Sequence, residues 1–287
     1  MKIAITASGG FIGSTISRVL GLQGNDIISP GREVFSLDDH SLASTLAGAD
    51  VIIHLSGAPL IRRWTRKNRN EIYDSRVNTT RKIVGAMQYM NPVPRTFICA
   101  SAVGIYSGEG VHDETSTDYS EGFLGKLCRD WEAEASRTPA SCRSIIFRFG
   151  VVLGSDGGAL KKMLPFFRMG LGGRIAGGQQ KMSWVHIEDV ARAFEFVLKT
   201  PAIEGPVNIC SPLAVSNSEF TKTLAGVLSR PAVIPIPKFM LRLVYGKGSV
   251  VLTKNQHAVP ARLEAHDFRF RFAELEGALR DITGQAL

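Results

Sequence analysis

The 287-residue chain has no apolar run near the ~18 residues that cross a bilayer, and Met1 to Gly10 lacks the longer apolar region and cleavage site of a secretory leader. A membrane role is therefore not expected, and the cytosol is the default compartment. Cysteine is sparse: Cys99, Cys128, Cys142 and Cys210 are scattered with no CxxC pair, which argues against a disulfide framework and against a bound metal. Carboxylates are short as well, 26 Asp and Glu against 34 Lys and Arg, for a net charge of +8. Such an excess suits phosphorylated small molecules, nucleic acid or anionic surfaces. Its densest cluster is RRWTRKNR, Arg62 to Arg69, without repeated aromatics, a zinc finger or a long basic tail. Nucleic acid is accordingly disfavoured, and a solvated basic loop and helix start is the simpler reading. The chain has no internal repeat and no low-complexity segment.

What is present is an alternation. KIAIT (residues 2–6) has strand composition, and the apolar spacing of FIGSTISRVLGLQG after it fits one helix face. DIIS (26–29), EVFSL (33–37), DVIIHL (50–55), TFICASAV (96–103) and SIIFRFGVV (144–152) read as further strands, with helices over Thr65 to Met90 and around FLGKLCRDWEAEA. Alternation of this kind predicts a parallel sheet covered by helices. After Gly150 come Gly-rich stretches and the Pro-punctuated PAVIPIPKF, which read as a second lobe. The division expected is 1–150 and 151–287, with VNIC (207–210) returning to the first sheet as a late strand.

Between the first strand and helix lies TASGGFIG, a glycine turn of the kind that faces backbone N–H groups toward a dinucleotide pyrophosphate. In the best register its three positions are Ala7, Gly10 and Gly13, with Phe11 and Ile12 opening the helix. Alanine replaces the first glycine, and its Cβ penalises a positive φ. At the end of the second strand, Ser29 and Arg32 suit the 2′-phosphate of NADP, while Glu33 keeps NAD open. Arg32 as a plain exposed turn residue is the competing reading. SGAP, with Ser56, Gly57 and Ala58, follows a buried strand and is expected on the adenosine side of the groove.

DSRVNTTR, CASAVGIY, LCRDWE, FRFGVVLGSDGGAL, GLGGRIAGGQQKMSWVHIEDV and FRFRF together resemble one family over essentially the whole chain. It is the atypical short-chain dehydrogenase/reductases known as epimerase family proteins, nucleoside-diphosphate-sugar epimerase-like, which end in a small domain of unknown function, here about 235–280. The resemblance implies an α/β fold of extended short-chain dehydrogenase type: a Rossmann-type, doubly wound parallel sheet for NADP(H) with a smaller C-terminal substrate lobe. Ordinary members carry a tyrosine, a lysine four residues on, an upstream serine and an asparagine as a proton relay. Aligned on Glu132, these positions hold Leu124, Cys128, Ser101 and Arg76, so the usual mechanism is absent.

Candidate catalytic groups are then Ser101, Cys128 and Tyr106. Cys128 on a helix reads more simply as a packing residue; a nearby Arg76 would lower its pKa and a nearby cofactor phosphate would raise it. Arg76 could clamp a cofactor phosphate or pair with a carboxylate, and Ser101 could contact the cofactor or close a turn. His186 is read as ordering the junction between lobes. Gln179, Gln180 and Trp184 are the candidate substrate contacts, in a Gly-rich loop that could serve only as turns. The expected partner is a small molecule, with a sugar nucleotide as the family's example; a homodimer is left open. Two functions follow: an NADP(H)-dependent oxidoreductase or nucleotide-sugar epimerase, or a cofactor-binding sensor without turnover.

Overall fold

The computed structural model describes residues 1–285. In strands β1 (Lys2–Thr6), β2 (Asp26–Ile28), β3 (Val51–His54), β4 (Thr96–Ala102), β5 (Arg143–Phe149) and β9 (Gly205–Ile209), every pairing is parallel, in the order β2-β1-β3-β4-β5-β9. Their side chains alternate between two apolar layers, as a period of two requires. Ile52, Phe97 and Cys99 face one layer with Leu42, Ile83, Met87, Leu127 and Trp131. These come from helices α2 (Asp39–Thr45), α4 (Thr79–Met87) and α5 (Phe123–Ala135). Val51, Ile53 and Ile98 face the other, with Ile16 and Leu20 of α1 (Phe11–Leu22) and Val190, Phe194 and Val197 of α7 (Ile187–Lys199). This is the doubly wound arrangement expected of the sequence.

Three local expectations are corrected. The strand expected over Glu33–Leu37 is a 3-10 turn, Arg32–Ser36. Pro30 and Gly31 precede it, and Asp38 caps α2 directly after it, accepting from Ser41 N at 3.0 Å. Val34 is buried and the Phe35 ring meets the edge of His54, so the apolar residues plug the end of the sheet. The long helix starts at the Thr65 cap as α3 (Arg66–Tyr73) and continues as α4, but a π-helical turn, Asp74–Asn78, interrupts it. SIIFRFGVV divides at Gly150, where a Cβ would stand 2.7 Å from Ser183 O, into β5 and β6 (Val151–Leu153).

β6 pairs with β8 (Trp184–His186), and β7 (Lys181–Met182) pairs antiparallel with β10 (Val215–Ser216). With α6 (Gly158–Arg168), α8 (Asn217–Val227) and α12 (Leu275–Thr283) they enclose a core of Leu160, Leu164, Trp184, Phe220, Leu224 and Leu279. The chain between α8 and α12 forms α9 (Lys238–Tyr245), α10 (Val250–Thr253) and α11 (Ala261–Ala265). From Asn255 to Val259 it bonds the segment around β7 and the loop that follows β4: Gln256 N donates to Lys181 O, Ser183 N to Gln256 O and Val259 N to His112 O.

The ends of β1 and β3 are fastened by His54, which bonds Thr6 Oγ1 at 2.8 Å and Thr79 Oγ1 at 3.2 Å. Burial drives its pKa down to about 3. The unfolded chain takes up a proton below pH ~6.5 that the folded one refuses, so stability falls as pH drops from there toward 3. Between pH 7 and 5 this one group is expected to cost about 2 kcal/mol. Urea unfolding at both pH values should show a His54→Asn variant losing less than the parent by that margin; equal losses would contradict the assignment.

Candidate functional site

At the C-terminal ends of the strands a groove of about 1120 Å³ runs from Ala7, Ser8, Gly9 and Gly10 past Ser56, Gly57 and Ala58 to Ser29 and Arg32. Ala7 has φ 54°, the left-handed conformation a glycine would adopt freely. Its carbonyl turns under the helix, where a Cβ at Gly13 would stand only 2.2 Å from it. Gly13 therefore serves close packing of helix and turn, while Ala7 and Gly10 line the groove. Among the described residues no side chain caps the first turn of α1. The backbone donors of Phe11 and Ile12 belong to that turn. Their side chains point elsewhere: Ile12 packs on the core beneath, and the Phe11 ring lies against Gly154 and Gly157.

Arg32 lines the far rim and is exposed, as is Ser29, whereas the Glu33 carboxylate folds back over Gly31. The groove's own carboxylates are engaged: Glu71 accepts from Arg62 at 2.9 Å and Asp74 from Asn78 at 2.7 Å. The π turn presents Ser75 to the SGAP segment, accepting from Ala58 N at 2.9 Å, and carries Arg76 inward. The Arg76 guanidinium lies over Trp131 and so close to Gly57 that a Cβ there would meet it at 2.9 Å. It is buried and donates to Ile72 O, and burial lowers its pKa to about 10, opposed by Cys128. Arg76 is paired with no carboxylate among the described residues.

Strand register sets Ser101 beside Arg148 and Arg148 beside Asn208. Glu132 of α5 closes a buried network over them. It accepts from Ser101 Oγ at 2.6 Å and takes Arg148 bidentately, Nε at 2.9 Å and Nη2 at 2.7 Å. Arg148 Nη1 donates to the Tyr106 hydroxyl at 2.8 Å, which donates to Asn208 Oδ1 at 2.9 Å. Burial opposes the charge on Arg148, but the bonds to Glu132 outweigh it and raise its pKa.

These contacts correct several expected roles. Tyr106 is buried, stacked on His112 and saturated at its hydroxyl, with burial pushing its pKa up to about 12; it is a structural tyrosine and not a free proton carrier. The Cys128 thiol is pushed up to about 12 by burial and by Glu132, more than the nearby Arg76 can offset, so it stays protonated at neutral pH. Leu124 is buried one turn before it. Trp184 is fully buried in the second lobe, donating to Leu213 O, and does not face the cleft. Gln179 is exposed, while Gln180 donates to Ile175 O and lines a small cavity between β6 and α10. His186 caps α7, accepting from Glu188 N at 3.2 Å, and packs on Phe272. Glu132, Arg148 and Asn208 were missed as site residues. Their one signal is FRF, an arginine inside a buried strand, which demands an anionic partner.

Residues 3–210 match the model of the NAD dependent epimerase/dehydratase family, and residues 236–282 match a domain of unknown function. The epimerase family protein YfhF of Bacillus subtilis is 34% identical over 98% of both chains. A crystal structure of human epimerase family protein SDR39U1 with NADPH superposes with TM-score 0.92 at 30% identity, covering 100% of each chain. A nucleoside-diphosphate sugar epimerase from Corynebacterium glutamicum gives 0.79 at 26% identity, over 99% of this chain and 58% of that one. No helix among the described residues is long and apolar enough to cross a membrane.

Removing one partner of the buried ion pair strands the other. Arg148→Met or Glu132→Leu alone should each cost about 3–5 kcal/mol, and the double variant clearly less than their sum. Denaturant unfolding of the cycle checks this; additive losses would mean that the two charges do not depend on each other.

Proposed function

Because the chain belongs to the NAD dependent epimerase/dehydratase family, we propose that it is an NADP(H)-binding atypical short-chain dehydrogenase/reductase, an oxidoreductase acting on a small molecule without the family's Tyr/Lys pair. The observation that carries this reading is the groove. A left-handed turn at Ala7 and an uncapped helix start stand at one part of it, and Arg32 with Ser29 at another. The residues fit the cofactor: small side chains permit backbone approach, first-turn N–H groups receive a pyrophosphate, and a cation meets a 2′-phosphate. Human SDR39U1, crystallised with NADPH, supports the same cofactor. When bound, the nicotinamide supplies the two-electron chemistry. Arg76, buried without a carboxylate, is suited to hold an anionic or hydroxyl oxygen of the ligand behind Gly57. Ser101 is held on Glu132, its proton committed to that carboxylate.

A cofactor-binding protein without turnover is the second reading, favoured by the protonated Cys128 and the saturated Tyr106. Following nicotinamide absorbance over a panel of carbonyl compounds separates the two.

Arg32→Ala should weaken NADPH about 10–100-fold, the worth of a charged hydrogen bond, and leave NADH unchanged. Calorimetry with both cofactors tests this. Equal losses, or none, would place the 2′-phosphate elsewhere.

A further inference from the structure

Where the tail crosses the second lobe it closes a cavity of about 120 Å³, walled by Val151, Leu153, Met163, Met182, Phe220 and Leu252. Five polar residues also line it: Gln180, Lys181 and Asn217, and Lys254 and Gln256 of the tail. Lys254 Nζ donates to Tyr106 O at 2.6 Å, which leaves two of its three N–H groups. Its ammonium is half-buried, and burial lowers its pKa, opposed by Cys128 and Asp118. The Gln256 side chain makes no hydrogen bond among the described residues. Its amide and the Leu124 Cβ converge on Gly104, 3.4 and 4.0 Å from where a Cβ would stand there. The polar lining therefore adjoins Leu124, the position at which the family resemblance places a tyrosine.

We propose that this cavity is the substrate pocket and that it takes a compact aliphatic carbonyl compound, its oxygen accepting from Lys254 Nζ and the Gln256 amide. Size and chemistry both point this way. An apolar cavity of about 150 Å³ holds benzene, so one of 120 Å³ suits a five-membered ring or a short chain. A sugar nucleotide is several times larger than this space. The tail segment thereby gains a role: it supplies polar donors beside a cleft whose own proton relay is missing. The assignment deepens the oxidoreductase reading and rests on it.

Cyclopentanone, titrated into the full chain with and without saturating NADPH and followed by ligand-observed NMR, is the probe. Saturable binding is expected, at least tenfold weaker for cyclopentane, which lacks the oxygen. Ala159→Phe, which fills the cavity from α6, and Lys254→Met should each weaken cyclopentanone at least tenfold at unchanged NADPH affinity, and Lys254→Arg should recover part of the loss. UDP-glucose should not displace the ketone. Equal binding of ring and ketone, indifference to Ala159→Phe, or displacement by UDP-glucose would overturn the proposal. If a variant fails to fold, the comparison of the two rings on the parent chain decides. Loss of NADPH binding with ketone binding intact would overturn the cofactor reading instead.

Discussion

The bidentate pair of Arg148 and Glu132 is the constraint on which the cleft depends. A guanidinium inside the central sheet is tolerable only with an anion in fixed geometry, and α5 supplies it at 2.7 and 2.9 Å. Everything around the pair is then committed. Ser101 gives its proton to Glu132, Tyr106 bridges Arg148 to Asn208, and Asn208 holds the tail through Val259 O. Three neighbouring strands, α5 and the C-terminal tail are thus joined through one ion pair.

The consequence for function is a division of labour. The ends of β1, β2 and β3 keep what a dinucleotide needs, a turn without bulk and a cation at the rim. The ends of β4 and β5, where a proton relay would stand, are occupied by a network whose donors already have acceptors. Leu124 and a protonated Cys128 are buried on α5 beside that network, and on the proposed reading the polar groups facing a substrate come from outside the sheet. Lys254 and Gln256 are the groups that the tail brings there. Arg76, carried inward by a π-helical turn, adds a buried positive charge behind Gly57.

Much of the fold was legible because it rests on periodicity. Buried strands such as VIIH show as short continuous apolar runs, the amphipathic helices repeat near four residues, and the glycine turn sits between its strand and helix as its mechanism requires. Ala7 could be read as a strained substitute for glycine, and its φ of 54° is that strain. What stayed hidden depends on register and on long-range closure. Glu132 served only as an alignment mark, since nothing local ties it to Arg148 sixteen residues on or to Asn208. Tyr106 and Trp184 looked available because the elements that bury them lie far along the chain. EVFSL has strand composition, but the cap at Asp38 leaves it no length. The π turn carries no signature in DSRVN that spacing alone reveals.

The central claim is that a cofactor groove is retained beside a relay replaced by a closed polar network. A crystal structure of the protein with NADPH tests it most directly. The account predicts the 2′-phosphate at Arg32 and Ser29, the pyrophosphate over Gly10, and Ser101 still donating to Glu132 with Arg148 in its bidentate pair. A structure in which NADPH lies outside this groove, or in which Ser101 leaves Glu132 and Tyr106 turns into the cleft, would contradict it.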